Sequence, residues 1–281
     1  MRERLTRERL TITLDAGILN HIDAAIDGTN IRNRSHAIEH LLTKALGPRV
    51  RTAVILAGGK GVRMQPFTFE TPKPLLPIHG RPILEHILFT LRDHGIQHVI
   101  LMIGYLGEKI KAHCGDGRQW GLKIEYAEDG PLSGTGAPLR KLASRLTEPF
   151  ILSHGDVLFT IDLEDLIKHH YASGATATMS LTSVDDPSEY GAVRLHGQRI
   201  AEFSEKPKTT HATSRLVNAG VYCVNPEMLS LIPKKSHAML ESDVFPTLVE
   251  QQTLFGYPFE GQWFDIGTPA QFERAVREWK G

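Results

Sequence analysis

The stretch from Ala53 to Ile78, AVILAGGKGVRMQPFTFETPKPLLPI, constrains this chain more than any other. It opens with a short apolar run, Ala53-Val54-Ile55-Leu56, closed at once by small residues, the pattern of a parallel strand buried on both faces. Gly58, Gly59 and Gly61 follow, with Lys60 and Arg63 among them. Glycines directly after such a strand let backbone amides approach an anion closely, because no Cβ intervenes and positive φ costs little. Arg63 adds a planar cation suited to phosphate oxygens. Ten residues on, Thr71-Pro72-Lys73-Pro74 sets a second cation in a stiff segment, since the residue before a proline is pushed out of the α region. The stretch reads as a polyphosphate site with two fixed cations; the glycines alone would equally serve a plain tight turn. Neither common phosphate loop fits. No Ser or Thr follows Lys60, and Met64 stands where a dinucleotide fingerprint needs its third glycine.

The 281 residues leave room for one large α/β domain plus something small. Lys and Arg balance Asp and Glu at 32 each, so no global field points to nucleic acid or membrane. Residues 1–51 nevertheless carry nine basic against six acidic side chains. Cys114 and Cys223 lie far apart and in no metal-ligand spacing, which argues against a disulfide framework or zinc site and for a reducing cytoplasm. No apolar run reaches the length of a membrane span, and no signal-peptide core follows the charged start.

Along residues 1–50, Arg9 to Leu14 alternates apolar and polar as a half-buried strand does. Asp15 is a helix N-cap before Ile18, Leu19, Ile22 and Ile26, and Arg34-Ser35 opens a second helix that Gly47-Pro48 ends. A strand and two helices of this size cannot bury their faces alone. The pattern resembles ribbon-helix-helix domains. That resemblance implies a homodimer formed through residues 1–50, with DNA a further partner through Arg9, Thr11 and Thr13. The bland alternative is a module kept as a dimerisation clamp alone.

From Thr52 strand and helix signals alternate. Apolar runs at His98–Ile103, Ile124–Tyr126 and Phe150–Leu152 read as strands. Helices are expected from Arg81-Pro82 and over Gly107–His113. Pro131 to Gly136 is a small-residue loop leading to a helix through Leu139 and Leu142. Beyond Tyr171, strand-like runs at Ala175–Leu181, Ala192–Leu195, Ile200–Phe203 and Leu216–Val224 are closely spaced. Asn225-Pro226 and Thr268-Pro269 read as caps opening helices, and His169-His170 as surface residues. The fold class is α/β: a Rossmann-like, mixed, mostly parallel sheet wrapped by helices over 51–281, with ligands at the carboxyl ends of the strands.

Four further blocks carry chemistry. Asp156 follows a buried strand and a glycine; Asp265 sits in Trp263-Phe264-Asp265-Ile266-Gly267-Thr268-Pro269; Glu205-Lys206-Pro207 and Val217-Asn218-Ala219-Gly220 complete the set, with Tyr190-Gly191 before them. Singly, each is a turn or a cap. In order, with G-G-x-G-x-R-M and P-K-P-L-x-P ahead of them, they resemble the signature of the sugar-phosphate nucleotidyltransferases over Thr52–Lys280. The resemblance implies the nucleotide-diphospho-sugar transferase type of fold. It implies that an NTP lies on Leu56, Ala57, Gly58, Gly59, Gly61, Gly134 and Thr135, and that Arg63 and Lys73 hold its phosphates. It implies Mg2+ on Asp156 and Asp265, and a sugar 1-phosphate on Gly191, Glu205, Lys206 and Asn218. Catalysis would then rest on Arg63, Lys73, Asp156 and Asp265. Pro138 departs from the family's base-binding loop, because it lacks an amide hydrogen. The shorter members of the family imply mannose 1-phosphate with GTP. Glucose 1-phosphate with UTP or dTTP, another sugar, cytidylyl transfer, and a DNA-binding nucleotide-sugar sensor stand as alternatives.

Overall fold

The computed structural model describes residues 11–29, 31–46, 49–128, 134–207 and 214–281. Packing divides the chain into two compact units, 1–48 and 49–281. In the first, helices Ala16–Ala24 and Arg34–Leu46 form, the first capped by Asp15, whose Oδ1 accepts from Gly17 and Ile18. Residues 11–15 join no ladder within the chain, and the expected strand positions Arg9 and Leu10 lie outside the described residues. The second helix is capped one residue earlier than Arg34, by Asn33, which accepts from the His36 amide at 2.9 Å. Ile12, Ile18, Leu41 and Leu42 stay exposed.

The large unit is built on one sheet of nine strands. In chain order the unit's strands are β1 (Thr52–Ala57), β2 (Pro77–Ile78), β3 (Arg81–Pro82), β4 (His98–Ile103), β5 (Lys123–Glu128), β6 (Phe150–His154) and β7 (Val157–Phe159). They continue as β8 (Ala177–Ser183), β9 (Gly191–His196), β10 (Arg199–Glu205), β11 (Leu216–Val224), β12 (Leu254–Pro258) and β13 (Trp263–Asp265). The sheet runs β5-β4-β1-β6-β11-β8-β12-β10-β9. β5, β4, β1 and β6 are parallel, and β11 enters antiparallel between β6 and β8. The mixed, mostly parallel sheet matches the expected class. β1 and β4 are almost fully buried because helices cover both faces, which is why they read as unbroken apolar runs. One core gathers around Ile55, Leu101 and helix Ile83–Asp93, the other around Leu152, Tyr222 and Phe245.

Local departures from the sequence reading have physical causes. Arg81-Pro82 is a short strand opposite Pro77–Ile78, and the helix begins only at Ile83. Asn225 stands at the cap position of a six-residue 3-10 helix, Pro226–Leu231, rather than an α-helix, and its side chain makes no cap bond but meets His170 and the Ala175 carbonyl instead. His170 is buried rather than on the surface, held between Thr178 and Asn225. Among the described residues no helix is long and apolar enough to cross a membrane.

Candidate active site

β1 and β6 are neighbouring parallel strands, so their carboxyl ends deliver the glycine loop and Asp156 side by side. The junction is tight: the Gly155 amide donates to Leu56 O at 2.9 Å, and a Cβ on Gly155 would stand 2.8 Å from that oxygen. Gly61 has φ +59°, and its carbonyl accepts from Thr68 Oγ1 at 2.8 Å. A 3-10 turn over Val62–Met64 then buries Met64 and leaves Arg63 half-exposed, its guanidinium 3.4 Å from Glu189. The prolines around Lys73 bring its side chain inward, where it is only 11% exposed and Nζ donates to Asp156 Oδ2 at 2.5 Å.

β13 pairs with β7 so that Asp265 lies opposite Val157, and the Ile266 amide donates to the Asp156 carbonyl at 3.0 Å. A Cβ on Gly267 would stand 3.1 Å from both Asp265 Oδ2 and Arg63 Nη2, so the two side chains flank one point. Burial and the neighbouring Asp156 charge raise the Asp265 carboxyl to about 6, against the pull of Lys73, Arg63 and His154. Burial also pushes Asp156 upward, but Lys73 together with His154 outweighs it and leaves the carboxyl below its ordinary value. The positive charge around the pair thus falls short at Asp265, where Lys73, Arg63 and His154 together do not outweigh burial and the Asp156 charge. That donor set fits a divalent cation, and magnesium in particular, which is bound through one or two carboxylates plus substrate phosphates rather than by an all-protein cage. Among the described residues no group of three or more His, Cys, Asp or Glu is placed to hold an ion.

The other half of the site comes from β9, β10 and β11. Gly191 pairs with Glu205 across β9 and β10, and a Cβ there would stand 2.6 Å from the Phe203 ring. Burial and Glu241 raise the Glu205 carboxyl, with Lys206 and His154 opposing. Lys206, at φ +44°, is exposed with Nζ 3.9 Å from Glu205. Asn218 sits at a register shift in β11, donating to Tyr222 OH at 2.7 Å and accepting from the Gly220 amide at 2.9 Å.

A cleft of about 1090 Å³ is lined by all seven residues expected on the nucleotide side (Leu56, Ala57, Gly58, Gly59, Gly61, Gly134 and Thr135) and by Lys73, His154 and Asp156. Arg63, Asp265, Gly191, Glu205, Lys206 and Asn218 do not line that cleft. Pro131, Leu132 and Ser133 of the small-residue loop lie outside the described residues. Two side chains escaped sequence reading. Glu189, beside the Tyr190-Gly191 pair, meets Arg63. Glu241 is 7% exposed and lies in a π-helical turn, Leu240–Val244, with Oε2 accepting from Thr135 at 2.6 Å. Nothing in Leu240-Glu241-Ser242-Asp243 marks it out, because its burial depends on a segment a hundred residues away.

Residues 52–280 match the family model described as nucleotidyl transferase. Over 227 residues the chain is 37% identical to a mannose-1-phosphate guanylyltransferase of Mycobacterium tuberculosis, covering 79% of this chain and 62% of that protein. Over 245 residues it is 33% identical to a UTP–glucose-1-phosphate uridylyltransferase of Synechocystis, covering 80% and 62%. The chain therefore spans about three fifths of these curated relatives. Among solved structures, a putative glucose-1-phosphate thymidylyltransferase from Bacillus anthracis shares the fold, with a TM-score of 0.73 at 24% identity over 82% of this chain and 96% of that one.

Proposed function

We propose that this chain, which belongs to the nucleotidyl transferase family, joins a sugar 1-phosphate to a nucleoside triphosphate, giving a nucleoside diphosphate sugar and pyrophosphate. Mannose 1-phosphate with GTP is the pair we assign first, in line with the relative named for it. Glucose 1-phosphate with UTP is the second reading, supported by the uridylyltransferase relative. The observation that carries the reaction is the Lys73–Asp156 pair at 2.5 Å, set between the glycine loop and Asp265.

The reaction is an in-line displacement. A phosphate oxygen of the sugar 1-phosphate attacks the α-phosphorus, the bond to the bridging β-oxygen breaks, and that oxygen leaves with pyrophosphate. The nucleophile is already anionic, so alignment and charge neutralisation matter more than a general base. Backbone amides of the 58–61 loop cradle the triphosphate, Arg63 takes the β- and γ-phosphates, and Lys73 takes the α-phosphate. Lys206 holds the attacking phosphate; Glu205, Asn218 and the open backbone at Gly191 hold the sugar. Asp156 and Asp265 would hold magnesium, which would supply positive charge to the phosphates. The buried thiols Cys114 and Cys223 suit a reducing compartment, and we place the reaction in the cytoplasm.

A second copy of the chain is the partner we assign to residues 1–50, a reading supported by four large apolar side chains left exposed on so small a unit. DNA is the less favoured partner. Flat, negligible binding in a salt-titrated assay would remove it. The reaction is tested by a pyrophosphate-release screen of GTP, UTP, dTTP, CTP and ATP against mannose and glucose 1-phosphates. Release with GTP and mannose 1-phosphate is expected, and no release with any pair refutes the assignment.

A further inference from the structure

The hydroxyl of Thr135 is engaged twice, though Thr135 lines the cleft expected to hold the nucleotide. It donates to Glu241 Oε2 at 2.6 Å and accepts from the Leu240 amide at 2.9 Å. The turn around it is strapped to the same segment, with Gly136 and Ala137 amides donating to the Ala238 carbonyl at 2.8 and 3.2 Å. A Cβ on Gly134 would stand 2.5 Å from that carbonyl and 2.8 Å from Met239 Sδ, so turn and strap are in direct contact.

The other Glu241 oxygen faces His154, which lines the nucleotide cleft and whose ring meets Tyr222. Glu241 Oε1 is 3.8 Å from His154 Nε2, a buried ring nitrogen that finds no hydrogen-bond partner among the described residues. The Glu241 charge helps burial raise both Glu205 and Tyr222, and Tyr222 receives the Asn218 amide. One carboxylate thus has one oxygen tied to the turn at Thr135 and the other beside His154, whose ring centroid is 6.0 Å from that of Tyr222.

We propose that Thr135 is a positioning residue that couples the two substrate subsites: its hydroxyl fixes the Glu241 carboxylate, and through it the His154 ring, which packs against Tyr222, the hydrogen-bond partner of Asn218. The inference rests on the transfer reading above and adds a direction to it. Nucleotide that orders the 134–137 turn sharpens the sugar pocket, and by reciprocity the sugar 1-phosphate tightens nucleotide binding by the same factor. Hydrogen bonds to a buried carboxylate are strong and oriented, which makes such a link stiff enough to transmit a small displacement.

The test uses the full chain with Thr135→Val and Thr135→Ser. Initial rates of pyrophosphate release give separate KM values for GTP and mannose 1-phosphate, and calorimetry with the α,β-methylene analogue of GTP gives the coupling between ligands. Thr135→Val should raise the sugar-phosphate KM about tenfold and abolish the coupling, with a smaller rise in the nucleotide KM, since Thr135 itself lines the nucleotide cleft. Thr135→Ser should restore both to within about twofold. If the valine variant does not fold, Thr135→Ala answers the same question. An unchanged sugar KM in a folded variant with wild-type turnover refutes the coupling alone, as does a rise confined to the nucleotide KM. Wild-type protein inactive with every substrate pair refutes the transfer reading on which the coupling rests.

Discussion

Asp265→Asn should stabilise the ligand-free protein while disabling it. The Asp265 carboxyl is raised from 3.8 to about 6, first by burial and then by the Asp156 charge. About two units at roughly 1.4 kcal/mol each set a ceiling near 3 kcal/mol on the cost of holding it ionised in the fold. A raised acid gives stability that is complete below the unfolded value and is lost as pH rises through the folded one. Wild type is therefore penalised at about pH 8 and relieved near pH 4, whereas the amide does not titrate. Local relaxation lowers the figure, so we expect the variant to gain about 1–3 kcal/mol at pH 8, or roughly 3–10 °C in melting temperature for a unit of this size. The gain should vanish near pH 4. Thermal unfolding with a chelator, at both pH values, reads this directly, and millimolar magnesium should raise the wild-type midpoint at pH 8 but not the variant's. A variant less stable than wild type at pH 8, or a difference independent of pH, would refute the electrostatic reasoning.

Three further outcomes follow from the same geometry. Asp156→Asn and Arg63→Ala should each lower turnover by about two orders of magnitude or more with the circular dichroism spectrum unchanged; near-normal turnover in either purified variant excludes the assigned roles. Glu189→Ala frees Arg63 from its present partner, so the GTP KM should fall about two- to threefold at low salt and converge with wild type as salt rises. Gly191→Ala drives a methyl against the Phe203 ring and toward Glu205; it should cost about 1–3 kcal/mol in urea unfolding and raise the sugar-phosphate KM well above the GTP KM.

The parts legible in the sequence were those whose signal is local. β1, β4 and β6 are apolar runs because helices cover both faces, and the glycines after them mark where backbone must pass backbone, as Gly155 does at Leu56. The Thr268 cap was equally local: its hydroxyl accepts from the Gln271 amide three residues on. What stayed hidden depends on residues far apart in the chain. His170 is polar in a helix, yet Thr178 and Asn225 close over it. Asn225 had the look of a cap but is drawn off by the Ala175 carbonyl. Glu241 is buried only because the turn at Thr135 reaches it. Residues 11–14, read as a strand, join no ladder among the described residues.

The nine-stranded sheet has a mechanical consequence. It continues by hydrogen-bonded ladders from β5, through β1 and β6, to β10 and β9. Jaw-like closure of one half on the other would have to shear β6 from β11 at the centre of the sheet, where four successive residue pairs are in register. On the proposed transfer reading the substrates would instead be enclosed by what overhangs the strand ends: the loop bearing Arg63, the Glu189 hairpin entry and the turn at Thr135. Small-angle scattering should accordingly give nearly the same radius of gyration for the large unit with and without bound substrates, while amide exchange slows in those three segments alone.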